Sequence, residues 1–257
     1  MYLPNRSLPQ DPPLPPAETL PTMYDLPSED PEDPGVPDEF HIFQPQLLRE
    51  TCKPPTYEAD RVFVATDLNL YYDVRHTGWH KRPDWFMVLD VECATQQEDL
   101  RRSYVVWQEG VNPFLVVELL SPGTEADDLG QTLREINRPP TKWQVYEQLL
   151  HIPYYAVFDR YENHFRLFQM VGNRYQELDL PESSYWFEEL DLGLCVWQGD
   201  YKGIQGRWLR WQTAEGEWVP TDEQEKEQAQ QEKEQAQQRA EKLAEKLRSL
   251  GINPEDV

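Results

Sequence analysis

Residues 114–120 read Phe-Leu-Val-Val-Glu-Leu-Leu, and this run constrains the chain more than any other stretch. Seven residues with one polar member are too few for a typical globular helix. They fit a strand buried on both faces, which needs covering layers above and below. Glu118 interrupts the run. An ionised carboxylate in an apolar strand is costly unless it is paired, protonated or metal-bound, or unless it reaches water at a rim.

Other runs supply the sheet around it. Arg61–Thr66, Leu68–Tyr72, Trp85–Val91 and Tyr154–Phe158 are β-rich. Phe165–Met170 and Arg174–Leu178, joined across Gly172-Asn173, read as a hairpin. Short strand-like pieces follow to about Trp218, with Trp208 and Trp211 at an aromatic edge of the sheet. Two helices are expected. Residues 41–50 form a short one that Pro45 delays. Thr141–Leu150 carries Trp143, Tyr146, Leu149 and Leu150 at helical spacing, with Thr141 as N-cap. The fold class is α/β (α+β), a central mixed sheet flanked by helices.

The flanks differ in composition. Residues 1–40 hold 11 of the 23 prolines with nine acids and one base, a composition that cannot form a core and reads as a disordered acidic leader. Residues 41–220 form the folded domain. From Thr221 to residue 257 the chain turns to Glu, Gln, Lys and Ala, and EKEQAQQ occurs twice in tandem. Ala229, Ala236, Ala240, Leu243, Leu247 and Leu250 recur at seven-residue or 4-3 spacing and Gly251 ends the run, so a long exposed helix is expected, a weak coiled coil and a homodimer contact.

Composition excludes several classes. Cys52, Cys93 and Cys195 are odd in number and without CxxC or Cys/His spacing, which argues against a disulfide framework or a structural zinc site. No run approaches the roughly 20 apolar residues of a membrane span, and no signal-peptide pattern opens the chain, so a cytoplasmic protein without membrane contact is expected. The formal charge of −23 disfavours nucleic acid as a partner unless basic residues cluster locally; Arg75, His76, His80, Lys81, Arg82, Arg101 and Arg102 are the candidates.

Three residues gain meaning together. Asp84 follows Pro83 at a strand start, Glu118 sits in the apolar run, and Lys142 occupies a first helical turn, where the macrodipole disfavours a cation. Two carboxylates from neighbouring strands can hold Mg²⁺, and a nearby ammonium can orient the attacking water and offset developing charge.

These residues stand in an order that resembles a large bacterial family of restriction-endonuclease-like proteins in the PD-(D/E)XK nuclease superfamily. Pro83-Asp84 matches its PD, and Glu118-Leu119-Leu120-Ser121-Pro122, with Thr124 beyond, resembles its E-x-x-S-x-S-T strand end. Asp127 and Asp128 match a following acidic position, Lys142 and Tyr146 a K-x-x-x-Y helix, and His151 through Asp159 a further segment. Arg101-Arg102-Ser103-Tyr104, with Trp107 and Gly110, is also similar, and the resemblance runs from about residue 60 to the C-terminus. It implies a Mg²⁺-dependent (or Mn²⁺-dependent) endonuclease acting on DNA, with Asp84, Glu118 and Lys142 catalytic. Asp84, Glu118 and the Leu119 carbonyl would be the metal ligands. The superfamily's usual lysine position is Leu120 here, and Glu50 is the nearest match to an extra acid on an N-terminal helix. A second reading is a non-catalytic nuclease-like module that assembles through its C-terminal helix.

Overall fold

A computed structural model describes residues 38–121, 128–130 and 139–249. Residues 1–37 of the expected leader, the positions of Thr124 and Asp127, most of 126–135, and the Leu250-Gly251 end of the last helix lie outside them, while Phe40, expected in the leader, opens the first helix and is buried.

The chain opens on α1 (Phe40–Thr51) and proceeds through β1 (Val62–Ala65), β2 (Leu70–Tyr71), β3 (His80–Lys81), β4 (Trp85–Leu89), β5 (Tyr104–Val105) and the short α2 (Val106–Glu109) to β6 (Leu115–Leu119). An α-helical turn, α3 (Lys142–Gln144), runs into a π-helical turn (Val145–Leu149). Then come β7 (Tyr154–Asp159), β8 (His164–Val171), β9 (Arg174–Glu177), β10 (Ser184–Phe187), β11 (Leu192–Tyr201), β12 (Ile204–Gln212) and α4 (Asp222–Ser249).

Six strands form the main sheet in the order β1-β4-β6-β7-β8-β9, with β6 and β7 parallel and the other pairs antiparallel. Two small sheets, β3-β2-β5 and β10-β11-β12, accompany it. β6 lies centrally and all five of its residues are buried, as its sequence demands. Strand alternation divides its neighbourhood into two cores. Trp85, Met87, Leu115, Val117, Ala156 and Phe158 face α1 and the β10–β12 sheet; Phe86, Val88, Val116, Tyr155 and Val157 face α3, the π turn and Tyr104. Glu118 has the parity of the second core.

Three expectations need correction. Pro45 does not delay α1, which starts at Phe40. The missing amide costs one early hydrogen bond, whereas Phe40, Leu47 and Leu48 bury their side chains in the first core. The 141–150 segment is not a regular α-helix: it has one α turn behind a Thr141–Gln144 capping box and then widens to π geometry. The C-terminal strand pieces are longer than expected and form a three-stranded sheet built on the β11–β12 hairpin. Trp208 and Trp211 do stand on its edge strand, β12, yet both are buried in the first core.

Gln44 pins α1 to that hairpin. Its amide donates to the Leu209 carbonyl at 2.9 Å and accepts from the Leu209 amide at 2.8 Å, in a fully buried setting. Truncation strands both backbone groups. Gln44→Ala is therefore expected to lower unfolding free energy by about 2–4 kcal/mol, measured by urea denaturation, whereas exposed Gln46→Ala should change it little.

Candidate functional site

The register that pairs Trp85 with Val117 places Asp84 opposite Glu118 at the end of the β4–β6 ladder. The two residues interlock. The Asp84 amide lies 3.4 Å from Glu118 Oε2, and Asp84 Oδ2 accepts the Leu119 amide at 2.6 Å. Glu118 is fully buried and holds both oxygens engaged: Lys142 Nζ donates to Oε2 at 2.9 Å, and the Tyr146 hydroxyl donates to Oε1 at 2.8 Å. Lys142 and Tyr146 are four residues apart, so the first turn of α3 and the start of the π turn present them to one carboxylate.

Asp128 completes the cluster. Its carboxylate is buried, with Oδ1 3.2 Å from Lys142 Nζ though outside hydrogen-bond geometry, and Oδ2 has no partner among the described residues. The Tyr155 hydroxyl holds its backbone carbonyl at 3.0 Å. The sequence motif included Asp128 without assigning it a role; its burial beside Lys142 does so. His41 was passed over because no metal-ligand spacing marks it. It comes from α1, is buried, and sets Nε2 3.1 Å from the Leu119 carbonyl. Leu119 is thus held at its amide by Asp84 and contacted at its carbonyl by His41.

Glu50 is placed elsewhere. It accepts from Gln46 and faces Lys202 at 3.9 Å. Of the basic candidates, Arg75 and His76 pair with Asp73, Arg82 with Asp67, and Arg101 makes a two-point contact with Glu109. Much of the local positive charge is therefore already matched.

The electrostatics of the cluster follow from burial. Removal from water drives both the Glu118 and Asp84 carboxyls above their ordinary range. Lys142 opposes this, while the neighbouring carboxylates reinforce it. Burial alone would lower the Lys142 ammonium, but Glu118, Asp128 and Asp84 together hold it well above its usual value. Fully ionised, three carboxylates and one ammonium leave two negative charges, the charge a divalent cation would neutralise. The donors are oxygens, suited to a hard ion such as Mg²⁺. Among the described residues no three Asp, Glu, His or Cys side chains form a ready cation cage. Asp84 and Glu118 would thus need the Leu119 carbonyl and water to complete a coordination shell.

The raised carboxyls set a pH dependence. The folded state holds protons that the unfolded chain releases near the ordinary Glu value of 4.5, so this contribution to stability is full below that pH and is lost as pH rises through the higher folded values. Glu118→Gln should flatten the decline in denaturant midpoint between about pH 5 and pH 8. A decline equal to that of the unsubstituted chain would place the charge elsewhere.

No helix of the described residues is long and apolar enough to cross a membrane. Among curated proteins none matches the chain. A family profile, however, matches residues 40–198, more than half of the sequence. The match takes in α1, which the resemblance from residue 60 onward left out, and it ends within β11, short of α4. By that match the chain belongs to the Uma2 family, whose description reads "Putative restriction endonuclease".

Proposed function

We propose that the protein is a Mg²⁺-dependent endonuclease that hydrolyses DNA phosphodiester bonds at the Asp84, Glu118, Lys142 cluster, with Mn²⁺ as an alternative ion. The observation that carries this reading is the convergence of two carboxylates, Asp84 and Glu118, with one half-buried ammonium at the end of β4 and β6. Family membership supports the reaction class.

Asp84, Glu118 and the Leu119 carbonyl would hold the ion. When bound, it would act as a Lewis acid toward a phosphate oxygen and lower the pKa of a coordinated water. The chain's own groups do the rest. The Leu119 amide fixes Asp84, and Tyr146 fixes Glu118, so neither carboxylate must be ordered when substrate arrives. Lys142 stays protonated because three carboxylates surround it, so its role is to donate to a phosphate oxygen or orient the attacking water, not to serve as the base. Asp128 holds Lys142 from the other side.

Asp84→Ala and Glu118→Ala should each lower Mg²⁺-dependent cleavage of plasmid DNA by about a thousandfold, the scale of losing a main electrostatic contributor. Equal activity in the unsubstituted and substituted chains would remove the assignment. A second measurement separates binding from turnover. Mg²⁺ or Mn²⁺ should raise the melting temperature of the unsubstituted chain at pH 8 and leave Glu118→Gln nearly unshifted. No metal shift and no cleavage in the unsubstituted chain would favour the non-catalytic module.

A further inference from the structure

α4 is 28 residues long, about 42 Å at 1.5 Å per residue, and none of its described residues is buried. Its start is fastened. Thr221 and Gln224 form a reciprocal cap, Arg210 donates to Gln224, and Lys53 reaches Asp222 and Glu225. Beyond that turn the helix presents an uncovered stripe of Ala229, Ala236, Ala240, Leu243 and Leu247, with Leu243 60% exposed. Isolated helices are marginal in water, and most helical stability comes from packing an apolar face.

Charge along α4 indicates what covers it. Residues 222–235 hold six acids and two bases, and residues 236–249 hold four bases and two acids. The helix dipole accounts for such a bias only in the end turns. Here Glu232 and Glu234 extend the acidic half to the middle of the helix, and Arg239 begins the basic half immediately beyond it. A second copy laid antiparallel with Ala240 against Ala236 sets residues 227–237, with three acids and one base, against 239–249, with four bases and two acids; a parallel copy stacks like on like.

The seam also has an antiparallel register. Placing Ala240 against Ala236 of the second copy brings Leu247 against Ala229 and Leu243 against the aliphatic stem of Lys233. Each layer then pairs one heptad position with its complement, Ala with Ala at the centre and Leu with Ala or a lysine stem on either side. In this register Glu232 lies two positions from Lys246 and five from Arg239 of the second copy, and the two Arg239 side chains face each other across the two-fold axis. We infer that α4 is a self-association surface that takes a second copy of this chain as an antiparallel two-helix coiled coil. The inference is independent of the nuclease reading, since no site residue lies on α4.

The test is sedimentation equilibrium on the full chain, with helicity followed by circular dichroism. The unsubstituted protein should form dimers at concentrations up to about 100 μM. Glu232→Lys alone, or Arg239→Glu with Lys246→Glu, should weaken dimerisation by about tenfold or more, since each dimer contains the contact twice. Combining all three substitutions restores opposite charges across the antiparallel seam and should restore dimerisation. A monomeric unsubstituted chain would overturn the inference. So would charge variants that dimerise as tightly as the original, the behaviour of a parallel pair, or a triple variant that retains its helicity yet stays monomeric.

Discussion

The burial of one carboxylate, Glu118, sets the conditions for its whole neighbourhood. A charge in the central strand of a two-faced sheet must be met from above, and the structure meets it with Lys142 and Tyr146 from one helical segment. That demand explains why a lysine sits where the helix dipole disfavours it, and why the segment is capped so firmly by Thr141. It also explains the acidic surroundings of Lys142, because removing either sign alone would strand the other in apolar surroundings. The parts are individually unfavourable and jointly stable, a pattern expected where function rather than packing fixes the residues.

Much of the main sheet was legible because its strands announce themselves. Runs such as 85–91 and 114–120 are apolar on both parities, which only a doubly covered sheet explains. Glu118 was legible for the complementary reason, since a single acid within such a run is conspicuous, whereas Asp84 was singled out through the Pro83-Asp84 resemblance. Other features depend on distant contacts. Trp208 and Trp211 read as an aromatic edge and do stand on an edge strand, but their burial is created by contacts with α1 and the main sheet. Pro45 misled because a local rule was outweighed by the burial of Phe40, Leu47 and Leu48. His41 carried no signal at all: its contact is to a backbone carbonyl 78 residues away. The π turn was equally hidden, since no periodicity in 141–150 separates it from an ordinary helix.

The overall acidity takes on a different sense once the charges are placed. Part of the negative excess belongs in sequence to residues 1–40 and part to α4. Within the body, Arg82, Arg75 and Arg101 are matched by acids at Asp67, Asp73 and Glu109. On the proposed function, a DNA substrate would then be held less by a general positive field than by the site itself, and binding with few phosphate contacts would depend more on the divalent cation than on monovalent salt.

The π turn has a consequence of its own. Tyr146 points to Glu118, while the next residue, Glu147, is also buried and holds the Tyr175 amide and Arg174 of the β8–β9 hairpin. The widened turn closes through Leu150 to Val145 and Ile152 to Tyr146, one and two residues further along than an α-helix allows. Adjacent side chains on a regular helix diverge by a fixed angle, so the extra residue is what lets neighbours serve two different masters. The stretch 145–149 thus acts as a spacer of fixed length. Relatives could vary in sequence there, yet a gain or loss of one residue would uncouple the site from the outer hairpin.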